Sequence, residues 1–178
     1  SFVNGASGSL LISKEYTGLD ETGKKLTEQL KDFVHNNNWD SRPGSWDPSV
    51  RLILNIWVDG EPYKEDIKVT EINQFTGETS EENYITAGAP FFTLPWKTIS
   101  IPVGGESGIP ANAVYTLEEV EENRMVMYEQ RDLNGVTTNW MQISQSESSK
   151  VLKTEKSVSE RPVAVICNEI STLPEFTG

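Results

Sequence analysis

With 178 residues, the chain has room for one domain with a sizeable core, or at most two small ones. A formal net charge of −12 argues against nucleic acid and anionic membrane surfaces as partners, and for solubility. An apolar share of 36% in short alternating runs points to a chain that folds, the single Cys167 allows no internal disulfide, and no run of about 18 apolar residues is present to span a membrane.

No signal peptide is visible, and Ser1 as first residue fits a mature or trimmed piece. Asn-x-Ser/Thr sites are absent from the sequence.

Residues 1–7 are small and polar and read as a loose lead-in. The run GSLLISKEY at 8–16 reads as a strand, with Leu10, Ile12 and Lys14 on one face and Leu11 and Ser13 on the other. That places a lysine on an apolar face. GLDETGKK at 18–25 has the outline of a phosphate-binding loop. However, Lys25 stands where the magnesium-binding hydroxyl belongs, and Asp20 and Glu21 would repel phosphate. The spacing instead predicts a turn, then an amphipathic helix over 24–35 carrying Leu26, Leu30, Phe33 and Val34.

NNNWDSRPGSWDP at 36–48 is a loop in which Trp39 and Trp46 stand among amides and carboxylates. Such rings either hold a sugar or a partner protein, or plug the end of a β-domain. At 50–72 a hairpin is expected. Leu52, Leu54, Ile56 and Val58 line one face, Asp59-Gly60 forms a type I′ turn, and Ile67 and Val69 return inward. Thr76-Gly77 marks a further turn before Tyr84 and Ile85. Residues 86–95 read as loop, 96–103 as a strand with Ile99, Ile101 and Val103 on one face, and 104–110 as a tight glycine loop.

IPANAVYTLEE at 109–119 carries a short turn, then a strand on which Tyr115, Leu117 and Glu119 share one face. Tyr115 and Leu117 face the core, so Glu119 is expected to point there too, which is costly for a carboxylate and needs a reason. The alternative is that Glu118, Glu119, Glu121 and Glu122 form a solvated acidic edge. RMVMYEQR at 124–131, the Asn134-Gly135 turn and VTTNWMQI at 136–143 follow. Residues 145–160 are polar, with Val151 and Leu152 as weak strand markers. RPVAVICNEI at 161–170 reads as the last strand, with Cys167 a small buried or half-buried side chain. The pattern of roughly seven to nine short strands, turn signals and one short helix is that of an all-β sandwich.

Four stretches, in order, resemble the Ig-like CnaB module of Gram-positive pilins and surface adhesins. Gly8, Leu10, Ile12 and Lys14, followed by Thr17-Gly18, match that family's opening G-x-L-x-V-x-K strand. Ile109-Pro110-Ala111-Asn112-Ala113, then Tyr115 and Glu119, match its lPaGa-YtvtE motif. PVAVICN ends in Asn168, as the family's last strand ends in Asn. Leu173, Pro174, Thr177 and Gly178 match a sortase signal, L-P-x-T-G, with one extra residue. The likeness covers about 1–20 and 96–178, whereas 21–95 departs from it.

The resemblance implies an Ig-like, CnaB-type β-sandwich over 8–170 with a short helical insertion, and a sortase-signal-like tail at 171–178. It also implies an intramolecular isopeptide bond between Lys14 and Asn168, assisted by a buried Glu119. The residue types suit that chemistry, because an amine attacks only when neutral and an apolar core disfavours charge on both amine and carboxyl. The function implied is that of a minor, basal or accessory pilus subunit, extracellular and cell-wall-anchored, not a turnover enzyme. Its partners would be other pilin subunits and a sortase, with no cofactor and no metal. A binding module that reads a glycan or host protein through Trp39 and Trp46 is the alternative.

Overall fold

A computed structural model of the chain describes residues 8–36, 48–120, 127–131, 137–145, 156–158 and 162–172. In chain order the elements are β1 (Gly8–Gly18), α1 (Glu21–Asn36), β2 (Val50–Val58), β3 (Glu61–Tyr63), β4 (Asp66–Asn73), β5 (Thr79–Thr86), β6 (Phe91–Thr93), β7 (Lys97–Val103), β8 (Val114–Glu119), β9 (Met127–Arg131), β10 (Thr137–Gln145), β11 (Lys156–Ser157) and β12 (Val163–Thr172).

The strands follow the alternation in the sequence. On β1, Leu10, Ile12, Lys14 and Tyr16 are buried, while Leu11 and Glu15 on the opposite face are half-buried. On β2, Val50, Leu52, Leu54 and Ile56 are buried. Asp59 and Gly60 carry φ of 52° and 81°, the paired positive values that a type I′ turn requires.

Two sheets result. One runs β5-β4-β7-β1-β12-β10-β9, and the other runs β11-β8-β2-β3, with β6 also paired to β2. Side chains from both sheets share one core, including Leu10, Ile12 and Ile166 from the first and Leu54, Tyr115 and Leu117 from the second. This is a β-sandwich arrangement. The first and last described strands, β1 and β12, are parallel neighbours in its larger sheet. Among the described residues, no helix is long and apolar enough to cross a membrane.

The structure departs from the sequence expectations at four places. The described residues hold twelve strands, because several are too short to leave a periodic signal. The hairpin expected over 50–72 is split. Only β3 returns along β2, and after Lys64-Glu65 the chain crosses to the other sheet, where β4 pairs with β5 and β7. Residues 86–95 are not all loop, since β6 adds to β2. The helix begins at Glu21, not at 24.

That early start has a local cause. Asp20 is the N-cap, its Oδ1 accepting from Gly23 N–H at 2.6 Å and its carbonyl from Lys24 N–H at 2.8 Å. A cap carboxylate already satisfies this helix end, and Lys25 points outward, so 18–25 is not built to cradle a phosphate. The two glycines of that pattern serve packing. A Cβ at Gly18 would lie 2.2 Å from Lys24 N, and one at Gly23 would lie 2.2 Å from Ile170 O. Their bareness lets α1 close onto β1 and β12. A second apolar cluster forms there from Tyr16, Leu26, Leu30, Phe33, Val34, Leu94, Trp96 and Ile170. Asn73 ties this end together, its Nδ2 donating to Val34 O at 3.0 Å and its Oδ1 accepting from Phe75 and Thr76 N–H.

Candidate functional site

Lys14 lies where the two clusters meet. Its side chain follows Leu10 and Ile12 into the sandwich because the strand period leaves it no other face. It is 0% exposed. β12 brings Ala164, Ile166, Asn168 and Ile170 to the same face of the same sheet, and Asn168 is 1% exposed. From the opposite sheet, β8 aims Glu119 across the core behind Tyr115 and Leu117.

The three polar side chains converge. Lys14 Nζ donates to Asn168 Oδ1 and to Glu119 Oε2, the latter at 2.5 Å. Glu119 has a side-chain exposure of 11%, the greatest of the three, and so marks the side of the site nearest solvent. The solvated-edge reading of Glu119 is therefore overturned. The face of Tyr16 closes another side, its ring centroid 4.8 Å from Nζ.

Burying an ammonium without compensation is costly, and here one carboxylate and one amide carbonyl provide that compensation. Moving a single proton from Nζ to Glu119 converts the pair from two charges to none without changing the net charge. The product is an uncharged amine against an amide, beside a carboxylic acid. Those are the reactant groups that an acyl transfer from Asn168 to Lys14 would need, with Glu119 beside the amine to take its proton.

The structure thus brings Lys14, Glu119 and Asn168 together. Trp39 and Trp46 lie outside the described residues, as do Leu173, Pro174, Thr177 and Gly178 of the sortase-like tail and the Asn134-Gly135 turn. Cys167 is half-buried on the face of β12 turned away from the core, paired in register with Glu15. Two residues at the site carried no sequence signal of a role, Tyr16 and Trp96. Tyr16 continues the Leu10-Ile12-Lys14 alternation and could have been read as the next inward side chain. Trp96 was expected to open a strand, but it precedes β7 with a φ of 57°.

Comparison of the chain with protein-family models, with curated proteins and with solved structures returned no match.

Proposed function

We propose that this chain is a self-crosslinking, CnaB-type subunit of a Gram-positive pilus or surface adhesin, and that Lys14 and Asn168 join in an isopeptide bond. The observation that carries this reading is the contact of Lys14 Nζ with both Asn168 Oδ1 and Glu119 Oε2 inside a core. The Nζ lone pair attacks Asn168 Cγ, the Cγ–Nδ2 bond breaks, and Nδ2 leaves as ammonia with a proton that came from Nζ through Glu119. Glu119 begins and ends in the same protonation state, so no external reagent is needed. The folded strands hold the reactants in contact, which replaces an external catalyst.

The role also follows from physical need. A single cysteine allows no internal disulfide to brace the chain, and a bond between β1 and β12, the parallel first and last described strands, would carry a pulling force across the sandwich without loading the strands between. The cell-wall placement rests on the sortase-like Leu173-Pro174-Glu175-Phe176-Thr177-Gly178 run.

Intact mass of the purified protein beside Lys14→Ala tests the bond. A deficit of about 17 Da in the wild type, absent in the variant, is the expected result for one loss of ammonia. An unshifted wild-type mass would reduce Lys14 and Glu119 to an ion pair and end the crosslinking reading. Incubation with sortases of the source organism tests the tail separately. A thioacyl adduct at Thr177 is expected, and no adduct with any of them would overturn the pilus assignment.

A further inference from the structure

We propose that α1 and the Tyr16–Trp96 pair form a fixed cover over the Lys14–Asn168 contact, with Tyr16 and Trp96 as positioning residues for the ligation; this rests on the crosslinking reading above. Tyr16 flanks both reactants. It is two residues after Lys14 on the same face of β1, and it is the register partner of Asn168 on β12. Its ring therefore walls the space in which Nζ moves. A lysine has four side-chain torsions, and an unconfined amine would spend little time in attacking geometry.

The wall is itself held. Tyr16 packs edge-on to Trp96, with ring centroids 6.1 Å apart and planes at 60°. The Trp96 N–H donates to the Lys14 carbonyl at 2.9 Å, and its own carbonyl accepts from Gln74 N–H at 3.0 Å. Its φ of 57° is a left-handed conformation that a bulky aromatic residue rarely adopts. Backbone strain of this kind persists where the surroundings over-determine it, and here it aims the indole at Tyr16. Leu30 and Phe33 of α1 pack in the same cluster behind the pair. The cover lies on the α1 side, leaving the more exposed Glu119 as the side by which ammonia departs.

The ring acts by shape. A π-face near Nζ stabilises the ammonium, which is the unreactive form, so its electrostatic contribution opposes the reaction. Its value to the ligation lies in confinement.

The test is a time course of intact mass after a pulse of cell-free synthesis, which catches chains before they crosslink. Folding is monitored by circular dichroism. Wild type, Tyr16→Phe, Tyr16→Ala and Trp96→Leu are compared. Folded Tyr16→Ala should lose ammonia ~10- to 100-fold more slowly than wild type, as expected for a misplaced reactant, while Tyr16→Phe keeps the wild-type rate within about twofold. Should Tyr16→Ala fail to fold, Trp96→Leu decides, because Trp96 backs the ring without being a reactant. Slowing of about threefold or more supports the cover, and an unchanged rate overturns it. Wild-type kinetics in folded Tyr16→Ala, or equal slowing in Tyr16→Phe, overturns the cover and leaves the crosslink standing. A wild-type chain that never loses mass overturns the crosslink, and the cover with it.

Discussion

Lys14 and Asn168 occupy neighbouring parallel strands two residues out of register: Lys14 stands opposite Ile166, and Asn168 stands opposite Tyr16. A strand spacing of ~4.8 Å and a two-residue advance of ~6.6 Å put their Cα atoms about 8 Å apart along a diagonal. An extended lysine needs such a span. Directly opposite partners would be too close for it, and Nζ would overshoot the amide.

The proton path gives the first prediction. Glu119→Gln keeps the size of the side chain and its hydrogen-bonding capacity but cannot relay a proton. Loss of ammonia should slow by ~10²- to 10⁴-fold, the usual worth of a positioned acid–base group. Asn168→Ala and Lys14→Ala should abolish it. Time-resolved intact mass reads all three, and a Glu119→Gln rate equal to wild type would remove Glu119 from the mechanism.

Stability separates a covalent bond from an ion pair. Lys14→Met/Glu119→Leu exchanges the two charged functions of the pair for apolar volume. If the contact were only a buried salt bridge, this exchange would be near neutral or stabilising. If positions 14 and 168 are bonded, the chain-entropy argument gives a loss of roughly 5 kcal/mol. That corresponds to a fall in Tm of about 10–20 °C for a chain of this size. Calorimetry decides, and an unchanged or higher Tm would speak against the bond.

Gly23→Ala tests the docking of α1. Alanine favours an isolated helix over glycine by up to about 1 kcal/mol. Here the added Cβ would meet Ile170 O at 2.2 Å, an oxygen that already accepts from Leu19 N–H at 2.8 Å. The variant should be destabilised by about 1–3 kcal/mol despite its better propensity, because the helix must lift from β12. Chemical denaturation measures the sign, and a more stable Gly23→Ala would mean that α1 shifts freely.

Alkaline pH probes the β2–β3 edge. Partial burial of Tyr63, and secondarily the negative charge of Glu65, push its phenol above the usual 10.0. The folded state thus disfavours the phenolate. Its contribution to stability is intact below about pH 10 and is lost as pH rises through the folded value. Tyr63→Phe should show a shallower fall in stability on the alkaline side of pH 10, seen as the difference between two urea-denaturation series. Parallel curves would show that Tyr63 titrates alike in both states.

Alternation made two of the three site residues legible: Leu10 and Ile12 set the face of Lys14, and Tyr115 and Leu117 that of Glu119, whereas Asn168 and the grouping of the three came from the resemblance of the motifs. The start of α1 was legible in principle, since Asp20 is a standard capping residue just before a helical pattern. Three features were not. The crossing at Lys64-Glu65 was hidden because periodicity says which way a side chain faces, not which sheet its strand joins. β6 is three residues long and carries no period. The Tyr16–Trp96 pair joins residues eighty positions apart in the chain.

By itself, then, the sequence determined the inward faces of β1, β2, β4, β7 and β8, the turn at Asp59-Gly60 and the presence of one amphipathic helix. All of these follow from backbone geometry within a few residues. Only the tertiary structure decided that β1 runs parallel beside β12, that β8 faces them from the other sheet, and that α1 closes the end of the pair. These are choices among distant segments that share the same apolar pattern. They are made by packing, which joins side chains 154 positions apart at Lys14 and Asn168 and leaves no trace in the local order of residues.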